Sequence, residues 1–287
     1  MRKTISNYFV FSLAVMLLSF LFATNASAET STPEYNISIT ESCSIVAEAD
    51  KSISISGDSV IVNLSLPGIT IDCSGRTSVS AIHIENGATV YLTIDGVNTL
   101  KGSEGCAAIS VSQDSTLIIV DSSTGTLKAY AGIMAAAIGG DAECSSGTIT
   151  INGGTIIAEG GDNGGAFADE RGGAGIGGGN NGDGGTITIN GGNIDSIGGE
   201  SSAGIGGGNS GNTGTIVINE GQITVDGGYH GPGIGGNGGS VEINGGIIVA
   251  DNWAYGAAIG CDSNGSGINI TIKGGNITAT ADTFCAA

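Results

Sequence analysis

The chain has 287 residues, of which 54 are Gly, 3 Pro and 6 Cys, with 12% charged and 5% aromatic residues. Ordinary domains carry about 7% Gly and about 25% charged residues; so much Gly argues against a helical protein, and the lack of a Gly-X-Y register with so little Pro excludes collagen. A 40% apolar fraction argues against disorder, and 27 acids against 8 bases, a net charge of −19, exclude nucleic acid and anionic membranes as partners.

The elements begin with an address. Arg2 and Lys3 precede an apolar run from Phe9 to Phe22, and Ala26-Ser27-Ala28 puts small residues where a signal peptide is cut. Residues 1–28 therefore read as a signal peptide cleaved after Ala28. That predicts a secreted or cell-surface protein with no membrane insertion after signal removal. Residues 29–35 read as a flexible leader and 36–66 as an N-terminal coil or cap. From 67 to 287 the chain reads as repeats.

One pattern recurs eight times: Ile69–Asp72, Leu92–Asp95, Ile118–Asp121, Ile149–Asn152, Ile187–Asn190, Ile216–Asn219, Val241–Asn244 and Ile270–Lys273. Seven steps from 72 to 273 make the mean period near 29 residues. Apolar residues alternate with Thr or other polar residues, the period-2 signature of a strand with one buried face. A Gly-rich turn and a second short strand follow, as in Thr155-Ile-Ile-Ala158. A third element recurs as Ala136-Ala-Ile-Gly-Gly140, Ala174-Gly-Ile-Gly-Gly178 and Ala203-Gly-Ile-Gly-Gly207. Three short strands per repeat describe one coil of a β-solenoid, whose apolar face is buried only by stacking on the next coil. The predicted fold is all-β: a parallel β-helix of about eight coils, right-handed by the general preference of such crossovers.

The Asx row closing the first strand (Asp72, Asp95, Asp121, Asn152, Asn190, Asn219 and Asn244) reads as structural. These side chains tolerate sharp corners and would form a hydrogen-bonded ladder from coil to coil. In the last complete coils the Ile of the third strand follows the row by 15 residues. From Lys273 that step passes Ala287, so the chain is expected to stop in mid-coil.

The phrases Val97–Ile109, Gly147-Thr-Ile-Thr-Ile-Asn-Gly-Gly154 and Gly173-Ala-Gly-Ile-Gly-Gly-Gly179 resemble Gly-rich parallel β-helix surface proteins of anaerobic gut bacteria and archaea, often called carbohydrate-binding or adhesin-like. The resemblance covers about residues 60–283 and is specific for the repeat. It implies binding to plant or host-surface polysaccharide, in some relatives with calcium.

Two kinds of residue fit such a role. Tyr130, Phe167, Tyr229, Trp253 and Tyr255 fall in the connection before the third strand, where a solenoid aligns equal positions along one edge. Sugar rings stack their C–H faces on aromatic planes, while hydroxyls need polar neighbours such as His230, Asp226 and Asp251. For calcium, which takes six to eight oxygens, the candidates are Asp141, Glu143, Asp183 and Asp262 near the turn after the third strand. Asp162, Asp169 and Glu170 in the longest coil join them. The strict nonapeptide of calcium β-rolls is missing.

Catalysis has a short inventory. A lyase would choose its base from Arg76 and Arg171, and a hydrolase needs two carboxylates such as Asp169 with Asp195; no dense catalytic motif occurs, and the chain does not read as an enzyme. Outward Thr positions (Thr148, Thr150, Thr186, Thr188, Thr215) suggest an ice-binding array, but it breaks at Val217 and Glu242. His83 alternates outward into solvent. Cys43 and Cys73, 30 residues apart, are placed to face each other on adjacent coils. The expected function is a polysaccharide-binding module; the rivals are a structural stalk and a pectin-active lyase or hydrolase.

Overall fold

A computed structural model describes residues 35, 37–163, 171–263, 265 and 267–281. The predicted signal peptide, most of the predicted leader and the final residues 282–287 lie outside them. The chain divides into Met1–Pro33 and Glu34–Ala287, and the described residues all belong to the second unit.

Period-2 alternation produces strands throughout, and the described residues contain no helix. Three parallel sheets form. Sheet 1 runs through nine strands from Ile37–Ile39 to Ile259–Gly260. Sheet 2 has nine from Cys43–Val46 to Asn269–Ile272, and sheet 3 eight from Thr70–Asp72 to Asn276–Ala281. The chain visits the sheets in turn, so each circuit is one coil of a parallel β-helix. Eight coils carry all three strands, and an opening one contributes to sheets 1 and 2.

Register explains the core. Ile138, Ile176, Ile205, Ile234 and Ile259 pair in succession across sheet 1. Ile151, Ile189, Ile218 and Ile243 do so in sheet 2, and Ile156, Ile194, Ile223 and Ile248 in sheet 3. Nearly all are fully buried. Each is worth roughly 1.5–3 kcal/mol relative to exposure, which is how repeats with so few aromatics hold a fold.

Glycine sets how closely the coils approach. In sheet 1 the residue after each core Ile is Gly139, Gly177, Gly206 or Gly235, with φ between +138° and +142°. A Cβ built on any of them would overlap the carbonyl oxygen of the next coil's glycine. The Ile-Gly signature is thus a steric requirement of stacking. After sheet 2, the chain turns at Gly154, Gly192, Gly221 and Gly246, all at positive φ. Glu220 stands where the other turns have their first Gly, so the second position is the one that demands it.

The register corrects three assignments. Ile69–Asp72 belongs to sheet 3, where Thr70–Asp72 pairs with Thr99–Lys101. Leu92 lies opposite Ile119, and Ile119 opposite Ile151, so Leu92–Asp95 sits two residues further along than its apparent match. Leu117, not Ile118, faces Ile149. A shift of two keeps every side chain on its own face, and Ile118-Ile-Val has no alternation to read.

Consequently the Asx ladder has four members. Asn190 donates its Nδ2 to Asn152 Oδ1 at 2.8 Å, Asn219 to Asn190 at 2.7 Å, and Asn244 to Asn219 at 2.8 Å. Asp72, Asp95 and Asp121 stand outside it. Asp72 instead accepts from Ser74 and pairs with Lys101 at 2.9 Å; these contacts hold its carboxyl down at about 2.

Two further expectations change. His83 is covered: Tyr35 stacks on it with ring centroids 5.6 Å apart, and Glu85 and Asp141 lie 3.4 and 3.9 Å from its ring nitrogens. Cys43 lies on sheet 2 opposite Val62, whereas Cys73 follows sheet 3, and both are free thiols. The one-period spacing fails because the opening coil is short and has no sheet 3 strand: Cys43 is in register with Val62, 19 residues on, and a step of 30 overshoots to the end of sheet 3.

Candidate functional site

The strands Gln222–Asp226 and Ile247–Asn252 are neighbours in sheet 3, with Asp226 directly opposite Asp251. Alternation buries Ile223, Val225, Ile248 and Ala250, so both aspartates face outward at the strand ends. Asp195, one coil earlier, lies on the same outer face opposite Thr224. Partial burial, then the charges of Asp251 and Asp195, push the Asp226 carboxyl above the usual carboxylate range.

Beyond these strands the chain leaves the sheet through a corner built on Asn252, which alternation points inward. Its Nδ2 donates to the carbonyls of Gly228 and Gly231, at 2.9 and 2.6 Å. Its Oδ1 accepts from the amides of Ala254 and Gly256, at 2.8 and 3.1 Å. One buried carboxamide therefore ties the corners of two consecutive coils together. Sequence reasoning missed it; the signal was a polar residue at the inward phase of Ile248, Ala250, Asn252.

That corner gathers four rings. Tyr229 contacts His230, Tyr255 and Trp253, with centroids 4.7, 5.1 and 5.3 Å apart. His230 stacks on Tyr255 at 5.0 Å and 27°. Trp253 is nevertheless 64% exposed and Tyr255 39% exposed. An indole that open carries a large apolar face in water, on a corner whose preceding strand ends carry Asp226 and Asp251.

Of the predicted aromatic row, Tyr229, Trp253 and Tyr255 come together with His230. Tyr130 does not: it ends the strand Thr126–Tyr130 and pairs with Lys101 and Glu159. The in-register positions after Glu159 are Ile197, Asp226 and Asp251, so no aromatic file runs along sheet 3. Phe167 lies outside the described residues.

The predicted calcium residues are dispersed. Asp141 accepts from the Ala107 amide at 2.8 Å and from Ser110 at 2.9 Å. Glu143 accepts from Asn180 and Asn181, which hold its carboxyl below the usual range. Asp183 takes both the amide and side chain of Asn212, and Asp262 accepts from Asn237 at 2.9 Å. Asp162 forms an isolated antiparallel bridge with Gly172. Asp169 and Glu170 lie outside the described residues. These carboxylates staple one coil's loop to another's, and among the described residues no group of three His, Cys, Asp or Glu side chains is arranged to hold a metal.

Of the candidate bases, Arg76 is engaged in structure, donating to Ser52 at 2.9 Å and to the Asp50 carbonyl at 3.0 Å.

A family model described as a beta helix repeat matches residues 187–209 and 270–286. The first match runs through one strand of each sheet, close to one full coil, and the second covers strands of sheets 2 and 3 and continues past the described residues. Neither a curated protein nor a solved structure matches the chain.

Proposed function

We propose that this parallel β-helix protein is an exported polysaccharide-binding module, adhesin-like in role, whose contact surface is the corner of Tyr229, His230, Trp253 and Tyr255. The observation that carries the reading is Trp253, 64% exposed and packed against Tyr229, on the coil corner that follows the paired strand ends of Asp226 and Asp251. Burying a ring this size in water-excluding contact is worth a few kcal/mol, and an aromatic plane flanked by hydrogen-bond acceptors suits the amphipathic face of a sugar. The signal-like residues 1–28 support export. Retention on insoluble polysaccharides tests the reading. Trp253→Ala is expected to lose most binding with an unchanged melting temperature, whereas a stalk would lose nothing.

One observation favours a second reading. Asp226, whose carboxyl is pushed above the usual carboxylate range, stands opposite Asp251, and glycoside hydrolysis uses a pair of carboxyl groups. The β-helix fold serves enzymes and binding proteins alike, so the fold does not choose between them. Reducing ends released by the parent protein and abolished in Asp251→Asn would favour hydrolysis over binding alone.

A further inference from the structure

One ring face of His230 stacks on Tyr255. The residue also lines a cavity of about 150 Å³ together with Ser201, Asn209, Ser210, Asn237, Asp262 and Ser263. That is several times the ~30 Å³ share of one water in the liquid. The Ser263 amide donates to the His230 carbonyl at 3.0 Å, so the pocket and the aromatic corner share one backbone junction. The lining consists of hydroxyls, carboxamides, an imidazole and one carboxylate. It offers donors and acceptors in mixture and no apolar wall of its own.

Charge narrows the ligand. From Gly172 to Ile272 the chain contains no Lys or Arg, yet it carries eight acids: Asp183, Asp195, Glu200, Glu220, Asp226, Glu242, Asp251 and Asp262. Corner and pocket both lie within this stretch. A uronate carboxylate brought here would meet Asp226, Asp251 and Asp262 in a stretch whose bases, Arg171 and Lys273, stand only at its two ends, and like charges at close range cost several kcal/mol.

We infer that the ligand of this site is an uncharged glycan, one of whose sugar residues sits in the polar pocket beyond His230 while a neighbouring residue stacks on Trp253. This rests on the binding reading above and adds the ligand's charge class and a second subsite. The carboxamide of Asn237, which donates to Asp262 at 2.9 Å, places a polar group on the pocket wall. Hydroxyls of a neutral sugar both donate and accept, which matches a lining of mixed polarity.

The test uses the exported chain and two probes, an uncharged galactomannan and polygalacturonate, each with calcium and with chelator. Retention on galactomannan in both conditions, and none on polygalacturonate, is expected. Asn237→Leu, of similar size, is expected to weaken galactomannan-oligosaccharide binding about tenfold, the loss of one or two hydrogen bonds, and to lower the melting temperature somewhat because the bond to Asp262 goes with it; Ser263→Ala, which leaves that bond in place, is expected to weaken binding less, with an unchanged melting temperature. Binding to polygalacturonate in either condition overturns the charge assignment. Full affinity in both pocket variants, with binding still lost in Trp253→Ala, overturns the pocket and leaves the corner standing. If the folded parent retains neither polymer, the binding reading and this inference fall together.

Discussion

Asp226 shows at the scale of one residue how the site departs from an ordinary acidic surface. Its carboxyl is half-covered at a strand end and faces Asp251 across the coil, with Asp195 nearby, so ionisation is disfavoured in the folded chain. The folded-state pKa is raised above the unfolded one. The group's contribution to stability is thus fully present at pH below its unfolded value and is lost as pH rises through the folded value. Asp226→Asn stays neutral at every pH. It is expected to melt above the parent at pH 7 and level with it near pH 3, as thermal denaturation at the two pH values would show. A higher melting temperature for the parent at pH 7 would mean that the carboxylate is stabilised by a partner. Such locally unfavourable charge is common where a surface is shaped for a ligand.

At the scale of the strand, sequence legibility followed the quality of the alternation. Where strands read Thr-Ile-Thr-Ile and end in Asn-Gly, as in Thr148–Ile151 and Thr186–Ile189, the registers are the ones that periodicity implies. Earlier, Thr89–Ile94 is two residues longer than the strand above it, and the string Leu92-Thr-Ile-Asp95 falls beyond its apparent match. Period-2 patterning cannot detect a slip of two, because burial is the same before and after. The aromatic corner was partly legible, since Tyr229, Trp253 and Tyr255 fall in the same connection of successive coils; the pocket was not, because Ser201 and His230 precede the sheet 1 strand while Asn237 and Asp262 follow it, so no single repeat position marks the lining. The four-member Asn ladder gives the register a measurable consequence. Asn190 both donates to Asn152 and accepts from Asn219, so Asn190→Ala breaks two hydrogen bonds and is expected to cost about 1–2 kcal/mol. Asp95→Ala, outside the ladder and exposed, is expected to stay within about 0.5 kcal/mol. Urea denaturation of the two variants compares them directly; equal losses would mean that the ladder contributes nothing.

At the scale of the whole molecule, cohesion and charge act in opposite directions. Cohesion comes from Ile columns and coil-to-coil backbone bonds, which are short-ranged and hardly respond to salt. Charge comes from 27 acids against 8 bases, and several of those bases are already paired on the surface, Lys51 with Glu48, Lys101 with Asp72 and Lys273 with Glu242. Exposed pairs of this kind contribute little, while like charges on successive coils repel along the stack. Raising the ionic strength from 0.01 M to 0.15 M shortens the screening length from about 30 Å to about 8 Å, weakening repulsion between coils more than it weakens contacts at 3 Å. The melting temperature is therefore expected to rise with NaCl over this range, as a scanning-calorimetry series would record. A fall would mean that the ion pairs outweigh the repulsion. Glycan affinity should behave differently: an uncharged sugar held by Trp253 and the pocket gains and loses no ionic contact, so its dissociation constant should stay flat over the same salt series. Stability that climbs while affinity holds still would separate the two roles physically, with charge acting on the scaffold and against anionic ligands, and apolar stacking with hydrogen bonds doing the recognition.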